Sequence, residues 1–217
     1  MQIKELILFT QDIQRQKSFY QKVLGMKQLV DSKQEIAFEV GASVLTFRYR
    51  RDAKPNHIAF NIPSNRIEQA TSWLAQKSLA IQTNDHVITT FSDWNAQAVY
   101  FYDPDANIME FIARADLNSN DTNEFTAESI LSISEIGIAT ESIESTYKMI
   151  QKMRPIPIFD GDLDRFCALG DNQGLFILID KTQKKWYPTN DHAYTSDFIV
   201  RGDYNFGFED GIVKQLS

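Results

Sequence analysis

The stretch Tyr100–Ile112, YFYDPDANIMEFI, reads as a strand, a tight turn and a second strand. Asp103 and Pro104 open the turn, since proline's ring presets the φ required there, and Asn107 is expected to take the left-handed corner. Alternation in the second strand puts Ile108, Glu110 and Ile112 on one face and Met109 and Phe111 on the other. A carboxylate between two isoleucines needs a partner, because burying it unpaired is costly. Both fold and chemistry turn on what Glu110 meets.

Outward from this stretch the chain repeats a plan three times: a short apolar strand, a helix-capping residue and an amphipathic helix. The strands are IKELILFTQD, NHIAFNIPS and SEIGIATES. Counted from Glu5, His57 and Glu135, the candidate caps Asp12, Ser64 and Ser142 each fall seven residues later. Their side-chain oxygens can accept from free N–H groups of a first helical turn. Helical spacing follows in Ile13, Phe19/Tyr20, Val23/Leu24, then Ile67, Ala70, Leu74, then Ile143, Tyr147, Ile150. Strand-like runs come after each helix: KQLVDS, EIAFEV and SVLTFRY; LAIQT, AVYFYD and IMEFIA; IPIFD, RFCALG and LFILID. The unit is therefore βαβββ, repeated at roughly fifty residues or more, a period that signals internal duplication.

The segment 116–128, DLNSNDTNEFTAE, is polar and rich in Asn, and is read as a linker with Phe125 its one aromatic. After the third unit one clear strand candidate stands out, Phe198–Arg201, with no helical period. The expected organisation is a paired βαβββ domain over 1–115, a linker over 116–128, and a third, incomplete unit with a C-terminal tail over 129–217. The fold class is α+β, with repeated units forming curled mixed sheets and helices on the outside.

Composition excludes several classes of function. The chain has 217 residues, 43% hydrophobic and 12% aromatic, which is enough to bury a real core. A net charge of −7 and no basic patch argue against nucleic acid or an anionic membrane surface; Arg48-Tyr49-Arg50-Arg51 ends a strand and reads as a solvated edge. No run reaches the ~20 apolar residues needed to span a bilayer, and the N-terminus reads as a first strand, not a signal peptide. The single cysteine, Cys167, cannot form an intrachain disulfide; it is expected to be a small buried hydrophobe in a reducing, cytoplasmic setting.

With FY…LGM after the first helix, NHIAF opening the second unit and DPDANIMEF closing it, the chain resembles the vicinal oxygen chelate superfamily. That group includes glyoxalase I, extradiol ring-cleaving dioxygenases, fosfomycin-resistance enzymes and bleomycin-binding proteins. The likeness covers 1–115; the third unit shares the layout, with LGDNQGLFILID and WYPTND resembling the tails of glyoxalase-like proteins. Ala106 stands where such proteins usually carry glycine, a change that a corner at Asn107 would tolerate.

The resemblance implies that paired units make an open cup with metal ligands on their first and fourth strands. Carried over by position, these are Glu5 and His57 on first strands, and Thr46 and Glu110 on fourth strands. Glu5, between Ile3 and Ile7, shares the problem of Glu110, and a divalent ion held by Glu5, His57 and Glu110 would solve both. One imidazole and two carboxylates suit Mn, Fe, Ni or Zn. Relatives usually have His or Gln at the place of Glu5, and glyoxalases have a second carboxylate at that of Thr46. These departures disfavour a glyoxalase I reaction and weaken the ring-cleavage reading. In the third unit Glu135 holds the first-strand position but Ile177 the fourth, so no metal site is expected there.

Phe47, Tyr49, Phe91, Trp94, Tyr100 and Tyr102 surround the expected cavity, where aromatics serve either as core or as walls. Thr46, Trp94, Tyr100 and Tyr102 are the candidate substrate contacts, and the polar stretch His86–Gln97 is placed to cover the opening. Two functions stay open. One is a metal-dependent enzyme of lyase, isomerase or dioxygenase type, with catalytic residues unassigned, acting on a small oxygenated molecule. The other is a metal-free protein sequestering a small molecule, in which Glu110 and His57 merely pair. The incomplete last unit leaves a sheet edge that a second copy would cover, so a homodimer is expected.

Overall fold

The computed structural model describes residues 1–81 and 86–216. The first unit holds β1 (Ile3–Thr10), α1 (Ile13–Ser18, continued by a wider helical turn over Phe19–Val23), β2 (Gln28–Asp31), β3 (Glu35–Val40) and β4 (Ser43–Tyr49). The second holds β5 (His57–Ile62), α2 (Ile67–Gln76), β6 (Ile88–Phe91), β7 (Ala96–Tyr102) and β8 (Ile108–Arg114). The third holds β9 (Ser132–Thr140), α3 (Ile143–Met153), β10 (Ile158–Gly161), β11 (Phe166–Asp171) and β12 (Gly174–Asp180). Three more strands follow, β13 (Phe198–Gly202), β14 (Phe206–Glu209) and β15 (Ile212–Gln215). The α+β class and the repeated unit are as the sequence implies.

In every unit the fourth strand runs parallel to the first: β4 beside β1, β8 beside β5, β12 beside β9. The units join through their first strands. β5 pairs antiparallel with β9 along Ile58↔Ile136 and Ala59↔Glu135, and β1 pairs antiparallel with β13. Units two and three therefore share a sheet face, while unit one is matched along most of β1 to the β13–β15 segment and touches β9 only at Ile3↔Ile133, all within one sheet. This differs from the expected pairing of units one and two within 1–115. The physical reason lies in the connector. Phe125, 3% exposed, packs its ring against Trp73 and Phe111, each at 5.7 Å, so 116–128 is anchored to unit two and delivers β9 to the open edge of β5.

Local chemistry explains the helix starts. Asp12 accepts from the Arg15 amide at 3.0 Å and Ser142 from the Ser145 amide at 3.2 Å, as their spacing predicts. Ser64 does not cap. Its hydroxyl donates to the Arg114 carbonyl at 2.7 Å, and α2 starts three residues later, behind Arg66. At the turn, Ala106 takes the left-handed conformation, φ +61°, instead of Asn107. Asn107 is committed elsewhere: its Oδ1 accepts from the Asn56 amide and its Nδ2 donates to Asp103.

The expected strand LAIQT is not seen over 79–81, its last two residues lie outside the described residues, and the strand of this unit is β6. β14 and β15 are additions to the single late strand foreseen. Gly207 interrupts the apolar pattern of NFGF, yet Phe206 and Phe208 are fully buried beside Phe198. Cys167 is buried, and burial and nearby Asp162 and Asp160 push its thiol up to about 11. No helix among the described residues is long and apolar enough to cross a membrane.

Candidate metal centre

Strand register assembles the centre. On β8, Glu110 stands opposite Ala59 of β5; on the other side of β5, Ala59 faces Glu135 of β9. The alanine methyl leaves the two carboxylates room to converge, and His57, two residues back along β5, shares their face. Further along that face β9 presents Gly137, where a Cβ would lie 2.6 Å from the Trp186 indole and 3.0 Å from the Cβ of His57. The glycine is what admits Trp186, whose ring stacks on His57 with centroids 5.3 Å apart.

His57 Nε2 lies 3.4 Å from Glu110 Oε2 and 3.9 Å from Glu135 Oε2, and all three side chains are buried. One donor atom from each falls within 4.8 Å of the others. His57 Nδ1 has no hydrogen-bond partner among the described residues. Arg114, with no solvent exposure, donates from Nη2 to Glu135 Oε1, and its guanidinium lies 5.3 Å from the Trp94 ring centre.

The electrostatics follow from burial and proximity. Burial works to discharge His57, but hydrogen bonds and charge from Glu110 and Glu135 outweigh it and hold the imidazole up at about 9. Glu110 is raised above its ordinary value, first by burial and then by the Glu135 charge, with His57 and Arg114 acting in the other direction. Tyr100 faces Glu110 from β7; burial, then the charges of Glu110 and Glu135, keep its phenol firmly protonated.

The expected ligand Glu5 is not part of this cluster. Half-buried on β1, it accepts from Arg201 Nη1 of β13 at 2.5 Å. The first-strand ligand position opposite His57 is instead filled by Glu135, from the unit where no metal site was expected, because β9 and not β1 lies along β5. Thr46 is buried between Ile7 and Ala37, outside the cavity. Tyr102 donates to Asp191 at 2.6 Å and lines a neighbouring cavity of about 940 Å³. Trp94 and Tyr100 line the cavity of about 530 Å³ above the triad, with Phe91, Phe166, Ile177, Lys184, Trp186 and Tyr187. The stretch expected to cover the opening contributes Phe91 and Trp94, but as part of β6 and the turn after it.

The sequence signal for Glu135 was present in the seven-residue spacing to Ser142 that it shares with Glu5 and His57. Arg114, Trp186 and Lys184 carried no such signal.

The family model described as the Glyoxalase/Bleomycin resistance protein/Dioxygenase superfamily matches residues 2–111. The chain belongs to this superfamily. A curated relative, the metallothiol transferase FosB of Lysinibacillus sphaericus, is 26% identical over 116 residues, which is 50% of this chain and 79% of that protein. Among solved structures, a dioxygenase-like protein of Bacillus subtilis superposes with a TM-score of 0.58 at 17% identity, over 82% of this chain and 63% of its own. A glyoxalase I mutant from Zea mays gives 0.54 at 15% identity, over 82% of this chain and 66% of its own. At these identities the two structures establish likeness of fold alone; the chain spans less than two thirds of either. As a superfamily member it has its triad on the face shared by units two and three.

The donor set fits a divalent ion. First-row ions bond imidazole nitrogen and carboxylate oxygen at about 2.0–2.2 Å, so ligand atoms around one ion sit roughly 3–4 Å apart, which the two distances from His57 match while all three atoms lie within 4.8 Å of one another. Ile177, at the fourth-strand place, supplies no ligand and would leave coordination positions open toward the cavity.

Proposed function

We propose that the protein is a divalent-metal-dependent enzyme of the glyoxalase/dioxygenase type acting on a small oxygenated molecule in the aromatic cavity. His57, Glu110 and Glu135 would hold the ion. The observation that carries this reading is the buried convergence of one imidazole and two carboxylates from three strands of two units. The name of the Lysinibacillus sphaericus relative, a metallothiol transferase, supports metal dependence.

When bound, such an ion supplies Lewis acidity toward substrate oxygens. The chain's own residues do the rest. Arg114 occupies Oε1 of Glu135, so that Oε2 is the oxygen facing His57. Tyr100, kept protonated, holds its hydroxyl against the Glu110 carboxylate at the cavity wall. Phe91, Trp94, Phe166, Trp186 and Tyr187 wall the site with apolar surface beside the buried triad.

One observation favours a metal-free sequestering protein instead. His57 and Arg114 together supply two positive charges against the carboxylates of Glu110 and Glu135, so the cluster balances without an ion.

Metal analysis of protein purified without chelator and then dialysed against Mn, Fe, Ni or Zn separates the two. About one tightly bound ion per chain is expected, lost in H57A and in E135Q and kept in E5Q. Wild-type protein that holds no first-row ion sinks the enzyme reading. Retention of the ion by E135Q together with its loss in E5Q sinks the assignment of Glu135.

A further inference from the structure

The cavity above the triad contains an ammonium group that makes no ion pair among the described residues. Lys184 lies in the segment after β12, half-buried, with Nζ 4.3 Å from the centre of the Phe166 ring. The acids that line the same cavity are otherwise engaged. Asp160 accepts from Trp94 Nε1 at 2.7 Å through one oxygen and from the Gly161 amide at 2.7 Å through the other. Glu110 and Glu135 face His57 and Arg114, and Asp93 is exposed on the turn after β6. Burial, and next the charge of Arg165, lower the Lys184 pKa, so the ammonium sits where an added negative charge would relieve it. A partly desolvated cation on an aromatic face recovers only part of its lost hydration from the ring, about 0.5–2 kcal/mol.

Much of the rest of the wall is made of flat aromatic rings. Phe91 and Trp94 stack at 5.8 Å, Trp94 and Phe166 at 6.4 Å, and Tyr187 meets Tyr100 edge-on at 5.9 Å. Ile177 and Ile179 complete it. About 530 Å³ is room for a small molecule of one or a few rings and not for a polymer.

We infer that the ligand of this cavity is a small planar organic carboxylate, with its ring between the aromatic walls and its anionic group on Lys184. This rests on the reading of the cavity as the ligand site, though not on the presence of a metal.

Quenching of tryptophan fluorescence tests it, since Trp94 and Trp186 both line the cavity. Benzoate, benzamide and acetate would be titrated into the wild type, K184M, K184R and K185M, each in chelator-treated and in Mn-dialysed form. Benzoate is expected to bind at least about tenfold more tightly than either benzamide or acetate. That preference should fall to about twofold or less in K184M, persist in K184R, and persist in K185M, whose lysine is exposed. Equal binding of benzoate and benzamide overturns the inference, as does a preference undiminished in K184M, or no benzoate binding in either form. Benzoate preference in protein that never takes up Mn would leave the inference standing while the metal reading falls.

Discussion

Arg114 has no exposed surface, and its charge sits directly against Glu135. Two of its nitrogens, Nε and Nη1, have no partner among the described residues, so the Glu135 carboxylate and the face of Trp94 carry most of its compensation. Breaking a buried pair from one side is worse than never having had it, because the surviving charge stays desolvated. R114M, which keeps much of the volume, is therefore expected to lower unfolding free energy by about 3–5 kcal/mol, read from urea melts. A loss below about 1 kcal/mol would mean that the pair behaves like an exposed surface bridge. The contrast at residue scale is Glu5, whose partner Arg201 is solvent-exposed and whose pairing belongs in that weaker class. Sequence alternation could rank Glu5 and Glu110 alike, since each follows an isoleucine by two places. It could not weigh the arginine across the sheet that gives Glu5 a local solution.

At the scale of elements, the turn between β7 and β8 is held by one carboxylate. Asp103 accepts from the amides of Asp105 and Asn107, from Asn107 Nδ2, from Gln16 Nε2 and from the Tyr20 hydroxyl. Burial nonetheless outweighs these donors and pushes its pKa to about 6, above the ordinary 3.8. An acid whose folded pKa is raised stabilises the fold below its unfolded value and loses that contribution as pH rises through the folded one. The stabilisation is thus present below about pH 4 and gone above about pH 6, a loss on the order of 3 kcal/mol across that window. Urea unfolding at pH 4, 5, 6 and 7 should show this fall in the wild type and a flatter profile in D103N, with an unchanged slope counting against it. The turn was legible in DPDAN, but the residue at its corner was not. Asn is the usual choice for a left-handed corner, and here one end of its side chain is claimed by the Asn56 amide across the sheet and the other by Asp103 of the same turn.

The same logic governs β9. Gly137 is there because the Trp186 indole fills the space a Cβ needs. Backbone propensity gives no hint of this, since the tryptophan arrives from a segment some fifty residues later. G137A must displace Trp186 from His57, at an overpacking cost of about 1–3 kcal/mol. A red shift of tryptophan emission would accompany the destabilisation. Wild-type stability and emission in G137A would show that the neighbouring ring yields freely.

At the scale of the molecule, unit repetition could be read from the sequence, but unit pairing could not. Every first strand gives one edge to its own fourth strand; β5 and β9 give the other to each other, β1 gives most of its other edge to β13, and three similar units leave several ways to fill that second edge. The choice is made by Phe125 in its pocket beside Trp73 and Phe111, and by the aromatic cluster Phe198, Phe206 and Phe208 that brings β13 to β1. A polar-looking connector and a glycine-interrupted tail hid both. The consequence is that 1–115 is expected to fail as an independent domain. A chain ending at Ala115 lacks β9 and β13, which leaves β5 and β1 with bare hydrogen-bonding edges over buried apolar faces. It also lacks Glu135. Such a fragment should aggregate, or pair with another copy edge to edge, and in light scattering it should not appear as a monomer. Metal bound to any soluble fraction should be weaker than in the full chain, with two of the three donors remaining. A monomeric, cooperatively folding 1–115 that binds one ion as tightly as the full chain would restore the pairing of units one and two, and with it Glu5 as the third ligand.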